Sequence, residues 1–180
     1  MYIGKVMKIG VYLGSFDPMH LGHLRVIAEM FAVRGLDRVV VVPTMQNPIK
    51  PHAPKDIELR RDIIWHELAY MCDCIDINRV SVDLLERELT APYYTYKTLQ
   101  RVQDKYSWGE LYVIMGADCR AAMQYWSHGD QILRDYHLIV VDRTMESSTE
   151  IRRRIAAGIS LDGLVPVGSE SYIIKRYTQM

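Results

Sequence analysis

Short β-branched runs alternate with longer stretches of helical period along most of this chain. Residues 8–14 (KIGVYLG), Arg38–Pro43 (RVVVVP), 110–115 (ELYVIM) and 136–141 (YHLIVV) are nearly continuous apolar runs. Runs of that kind predict strands covered on both faces. Residues 75–84 (IDINRVSVDL) alternate instead and predict a strand toward a sheet edge. Between these runs the period changes. Leu21, Leu24, Ile27, Ala28 and Phe31 make an apolar stripe over 20–32, with Gly35 where a helix stop is expected. Leu59, Ile63 and Leu68 do the same over 56–70, behind Asp56 as N-cap. Further helices are expected over Thr95–Lys105, 118–125 and 147–157. The last opens on the capping-box pattern Ser147-x-x-Glu150 and stops at Gly158. Five strands alternating with helices predict an α/β fold, a Rossmann-like doubly wound parallel sheet with flanking helices. Its ligands would sit beyond the carboxyl ends of the strands.

Composition narrows the function classes. The 180 residues match the prior of about 150 per domain, and no repeat or linker divides them, so one domain is expected. Lys plus Arg and Asp plus Glu both number 22, which argues against duplex nucleic acid or an anionic membrane surface as partner. No apolar run approaches the ~18 residues of a membrane span, and no signal-peptide pattern follows the N-terminus. Three cysteines fit a reducing compartment, so a cytoplasmic protein is expected. Cys72-x-Cys74 near His66 lacks the spacing and second ligand pair of a zinc site, and no metal-binding residues are expected. Gly10 and Gly14 are not spaced as a dinucleotide fingerprint, and no P-loop occurs.

The chemistry concentrates in Gly14-Ser15-Phe16-Asp17-Pro18-Met19-His20-Leu21-Gly22-His23, directly after the first strand. A Gly-Ser turn lets backbone N–H groups approach an anion, and the positive end of the following helix points to the same place. His20 and His23, three apart on a helix, share a face and are expected to converge on that turn. Two imidazoles beside a phosphate are donors for charge that develops in phosphoryl transfer. Near the C-terminus, the helix start at Ser148 and Thr149, with Arg152 on its opening turns, offers a seat for further phosphates. The lesser alternative, taken from the residues alone, is a capped helix with a wet basic face, Arg152-Arg153-Arg154.

The first of these segments resembles the GSFDPxHxGH signature of the HxGH nucleotidyltransferases. Further segments, in the same order, resemble the nicotinate-nucleotide adenylyltransferases: Val42-Pro43-Thr44 through Lys50, Tyr94-Thr95-Tyr96-Lys97-Thr98-Leu99, Gly116-Ala117-Asp118 with Trp126, Ser147-Ser148-Thr149-Glu150-Ile151-Arg152, and Leu164-Val165-Pro166. The resemblance spans about residues 8–176. It implies transfer of AMP from ATP to nicotinate mononucleotide, giving deamido-NAD and pyrophosphate, with Mg²⁺ delivered on ATP. It implies catalytic roles for His20, His23 and Arg152. Gly14, Ser15, Phe16, Gly116, Asp118, Ser148, Thr149, Ile151 and Arg152 would contact ATP, with the Asp118 carboxylate on the ribose. Thr95, Trp126 and Lys50 would contact the pyridine mononucleotide. Homo-oligomerisation is compatible with it. Several features depart from the family pattern. Lys97 stands where an Asp is usual, Ile49 replaces a His (His52 lies nearby), and only residues 142–146 separate the fifth strand from the late helix. The same chemistry on nicotinamide mononucleotide or phosphopantetheine, or nucleotide binding without turnover, are the rival readings.

Overall fold

The computed structural model describes residues 5–46, 54–142 and 144–179. Five parallel strands, β1 (Met7–Gly14), β2 (Arg38–Pro43), β3 (Val80–Val82), β4 (Gly109–Gly116) and β5 (His137–Val141), form one sheet in the order β3-β2-β1-β4-β5. The chain builds outward from β1 through β2 to β3, then crosses back to add β4 and β5 on the other side. The crevice opened by that reversal lies at the carboxyl ends of β1 and β4. Register there is continuous, with Gly14 opposite Pro43 and Tyr12 opposite Ile114.

The four valines of β2 explain why the run shows no alternation. Val39 and Val41 enter one core, with Leu24, Ile27 and Met30 of α1 (Leu21–Ala32) and Ile64 and Leu68 of α2 (Ile57–Ala69). Val40 and Val42 enter the other, with Leu99 and Val102 of α3 (Thr95–Lys105) and Ile132 of α5 (Gly129–Asp135). Successive side chains of a strand point to opposite faces, and here both faces are covered. A third cluster joins Ile63 of α2 to Ile151 of α6 (Ser148–Ala157) and to Ile173 and Tyr177 of α7 (Glu170–Thr178).

Local capping follows the expected chemistry with one exception. The Asp56 carboxylate accepts the N–H groups of Glu58 and Leu59, and Gly158 ends α6 at φ 65°. Ser147 Oγ accepts the Glu150 N–H at 3.1 Å, but the Glu150 side chain does not return to the cap. Its carboxylate is bonded by Arg153 and Arg154, so the capping box is half formed. Two other expectations are revised. The alternating stretch 75–84 gives only β3, because Ile77–Arg79 forms a 3₁₀ turn in which Arg79 bonds the carbonyls of Leu36 and Asp37. The helix expected over 118–125 is α4 (Ala117–Ala122) followed by a 3₁₀ turn at Met123–Tyr125. Helices α5 and α7 were not foreseen. Among the described residues, no helix is long and apolar enough to cross a membrane.

Candidate active site

β1 ends at Gly14, and the chain turns through Ser15 and Phe16 (φ 45°) toward α1. A side chain on Gly14 would lie 2.9 Å from Cζ of the buried Phe16 ring, so the turn closes only over a glycine. Arg60 of α2, 1% exposed, secures this turn from beneath. Its Nη1 donates to the carbonyls of Ser15 (2.7 Å) and Thr44 (2.8 Å), and its Nε to that of Lys55 (2.7 Å). One guanidinium thus satisfies carbonyls from the ends of β1 and β2 and the approach to α2. Burial lowers its proton affinity, against the opposing pull of nearby Asp17.

Asp17 is the second anchor. Its Oδ1 accepts the Tyr177 hydroxyl at 2.6 Å and the Lys55 N–H at 3.3 Å, while Arg152 Nη1 lies 3.5 Å from Oδ2. Burial chiefly, and then the Asp17 charge, raise the Tyr177 hydroxyl above its ordinary pKa, so it stays a donor. Arg152 also donates to the Asp17 carbonyl, and Ser148 Oγ to that of Pro18 at 2.9 Å. The three arginines of α6 are therefore divided: Arg153 and Arg154 hold Glu150, and Arg152 turns to the loop after β1. Thr149 Oγ1 accepts from Arg152 at 3.3 Å.

His20 and His23 stack, with ring centroids 3.7 Å apart. His23 Nδ1 accepts the His20 N–H at 3.3 Å. In the neutral ring the proton therefore sits on Nε2, which remains a donor. Phe16 meets the His23 ring edge-on at 4.9 Å. The histidines are not equivalent. His20 is the N-cap of α1, and its extended backbone (φ −149°, ψ 173°) turns the ring inward, leaving it 5% exposed. Burial pushes its pKa down to about 4, with Glu146 pulling the other way.

A cavity of about 370 Å³ opens above the carboxyl ends of β1 and β4. Gly14, Ser15, Phe16 and His23 line one side, Gly116 and Asp118 the next, and Thr95 and Trp126 the far wall. Thr95 is the first residue of α3. Trp126 packs against the β-sheet core, yet its buried Nε1 has no hydrogen-bond partner among the described residues. Between the two sides lies Glu86, a buried carboxylate that accepts the Met45 N–H (2.6 Å) and the Thr98 hydroxyl (2.7 Å). Burial raises its pKa, against the pull of those two hydrogen bonds.

Residues 11–154 match the Cytidylyltransferase-like family. A probable nicotinate-nucleotide adenylyltransferase of Thermus thermophilus is 33% identical over 189 residues, covering 94% of this chain and 97% of that protein. One from Solibacter usitatus is 35% identical over 184 residues, covering 89% and 93%. The chain belongs to the nicotinate-nucleotide adenylyltransferase family. Solved structures share the fold at lower identity. A putative nicotinate-nucleotide adenylyltransferase from Vibrio parahaemolyticus superposes with TM-score 0.77 at 18% identity, covering 97% of each chain. The nicotinic acid mononucleotide adenylyltransferase of Plasmodium falciparum, complexed with NaAD, gives 0.78 at 17%, covering 96% and 97%.

Set against the family motifs, the residues fall into three groups. Gly14, Ser15, Phe16, His23, Thr95, Gly116, Asp118 and Trp126 line one cavity. Ser148, Thr149 and Arg152 lie outside that lining but are tied to the loop after β1. Two expectations need correction. The His20 ring stands behind His23 instead of lining the cavity, because a cap residue projects differently from a helical one. The Ile151 side chain is wholly buried in the third core cluster, and its N–H bonds Ser147, so it has no face to offer a nucleotide. Lys50, with Ile49 and His52, lies outside the described residues. No three His, Cys, Asp or Glu side chains among the described residues converge as metal ligands. Asp17, the acid within the turn segment, is engaged by Tyr177, Lys55 and Arg152. Sequence reasoning overlooked Arg60, Tyr177 and Glu86. Arg60 had a signal: it falls on the buried stripe of α2 between Ile57 and Ile63, where a charge is out of place.

Proposed function

We propose that this chain transfers AMP from ATP to nicotinate mononucleotide, forming deamido-NAD and releasing pyrophosphate. What carries the reading is the cavity itself. Hydrogen-bond donors line the β1 side and a flat indole beside a helix N-terminus lines the other, in a chain that matches nicotinate-nucleotide adenylyltransferases over nearly its whole length. The acceptor phosphate attacks the α-phosphorus in line, and no covalent enzyme intermediate is needed. Catalysis is positioning and charge stabilisation. His23 Nε2–H and the turn at Gly14–Ser15 meet the α-phosphate. Arg152, with the Ser148 and Thr149 helix start, receives the departing pyrophosphate. Asp118 accepts from the ribose hydroxyls, and Trp126 stacks on the pyridine ring. Thr95 and the N-terminus of α3 take the pyridine carboxylate. Lys97, whose ammonium stands 5.7 Å over the Tyr94 ring, adds positive charge to that wall. Mg²⁺ enters as part of the substrate, on the triphosphate. The test is pyrophosphate release from ATP with nicotinate mononucleotide, nicotinamide mononucleotide and phosphopantetheine in parallel. Release with nicotinate mononucleotide in clear preference is expected; preference for the amide or for phosphopantetheine would overturn the acceptor. Nucleotide binding without release would overturn the activity.

A further inference from the structure

Residues 44–46, which leave β2, share no hydrogen bond with α3, which opens the far wall of the cavity, among the described residues. Glu86 joins them, from a 3₁₀ turn at Leu85–Glu88 between β3 and α3. Its Oε2 accepts the Met45 N–H at 2.6 Å, and its Oε1 accepts the Thr98 hydroxyl at 2.7 Å. Both ends of that span are themselves fixed. On the loop side, Thr44 donates its N–H to the Gly14 carbonyl at 2.9 Å and gives its own carbonyl to Arg60. Thr44 and Gln46, on either side of Met45, line the cavity, as does Glu86. On the helix side, Thr98 is wholly buried, one turn beyond the cavity-lining Thr95. Leu85 and Leu99, the sequence neighbours of the two bonded side chains, already meet in one apolar cluster. Apolar contact is non-directional, and a carboxylate at 1% exposure is costly to bury. What Glu86 adds to that contact is direction: two short bonds to two fixed donors permit only a narrow range of spacings.

We propose that Glu86 is a positioning residue for adenylyl transfer, which sets the distance between the phosphate side of the cavity and the end of α3 that takes the pyridine mononucleotide. In-line attack needs the acceptor oxygen within about 3–3.5 Å of the α-phosphorus, and a displacement of about 1 Å can cost 10²-fold in rate. The acceptor is held by its pyridine end, whereas the α-phosphorus is held at the Gly14–Ser15 turn. The separation of the two seats therefore decides whether the reacting atoms meet. A continuous chain of bonds fixes it, from the Ser15 carbonyl through Arg60 and Thr44 to Met45, Glu86 and Thr98. Glu86 acts through its two partners and contacts neither reacting atom. The kinetic part of this inference rests on the adenylyl-transfer reading; the bridge itself does not.

The experiment compares Glu86→Ala, Glu86→Gln and Thr98→Val by hydrogen exchange at the Met45 amide and by steady-state kinetics with ATP and nicotinate mononucleotide. The amide is expected to be protected in wild type and to exchange at least ~10-fold faster in Glu86→Ala. In that variant kcat falls roughly 10- to 100-fold and KM for the mononucleotide rises, while KM for ATP stays within about twofold. Glu86→Gln recovers most of both losses, because its amide oxygen accepts from Met45 and its NH₂ donates to Thr98 Oγ1. Thr98→Val keeps the Met45 bond and cuts the one to α3. It leaves the amide protected and raises KM for the mononucleotide about 3- to 10-fold. An unprotected Met45 amide in wild type overturns the bridge. Equal rises in both KM values, or activity lost only in proportion to unfolded protein, overturn the positioning role. So does a Glu86→Gln as impaired as Glu86→Ala, since charge would then matter and not spacing. Should Glu86→Ala fail to fold, Thr98→Val decides, and an unchanged KM for the mononucleotide there overturns the proposal. The expected exchange pattern in a protein that releases no pyrophosphate would sink the functional reading and leave the bridge standing.

Discussion

On the β1 side of the cavity the backbone is gripped by side chains whose charges are themselves buried: Arg60 under Ser15 and Thr44, and Asp17 between Tyr177 and Arg152. On the opposite wall Tyr93, Tyr94, Thr95 and Trp126 are half-exposed and held by ring packing, with Tyr96 against His128 at 4.0 Å and Tyr94 at 6.2 Å from Tyr96. There the Trp126 Nε1 has no hydrogen-bond partner among the described residues. The contrast follows from what each side is proposed to handle. Charge that develops on a phosphate is stabilised most by donors that need no rearrangement at the moment of reaction, so rigidity is concentrated beneath the Gly14–Pro18 turn. A neutral ring gains chiefly from surface and fit, so its wall leaves a hydrogen-bonding position for the ligand to fill.

If the two sides differ in this way, variants should separate them. The largest effect belongs to His23→Ala, which should lower turnover 10²-fold or more while leaving thermal unfolding close to wild type; a near-wild-type rate of pyrophosphate release would dismiss the donor role. Arg60→Leu comes next, because it strands three carbonyls in a buried site. A loss of about 2–5 kcal/mol is expected in urea or thermal unfolding, with Tm lower by roughly 5–15 °C. An unchanged Tm would mean that the turn does not depend on the buried guanidinium. The smallest effect is that of Trp126→Leu. It should raise KM for the pyridine mononucleotide roughly 3- to 30-fold with little change for ATP. Equal changes in both KM values would erase the distinction between the two sides.

How legible these features were depended on how local their causes are. β1, β2, β4 and β5 were readable within a residue or two because a strand buried on both faces declares itself as an apolar run. β3 was overdrawn, since the alternation of 75–84 also suits a 3₁₀ turn pinned by Arg79 to the carbonyls of Leu36 and Asp37 just before β2. α5 is only seven residues long, and α7 buries only Ile173 and Tyr177 along its length, so neither carries a strong stripe. At the site, the strand-turn-helix segment and its glycine were evident from spacing. The clamp beneath it was not: Arg60 answers to carbonyls 5, 16 and 45 residues away, and Tyr177 to a carboxylate 160 residues away. No pattern along the chain encodes such partners, although a charge on an apolar stripe was the available clue. The inequality of His20 and His23 was hidden for a related reason. Three-residue spacing places both on one helical face only if both are helical, and His20 is the cap.

The hydrogen bond from Tyr177 to Asp17 ties the loop after β1 to a helix 160 residues farther along the chain. An excised fragment that keeps Gly14 to His23 but lacks α7 would therefore carry the motif without its brace, so the loop's final shape is a property of two distant stretches acting together.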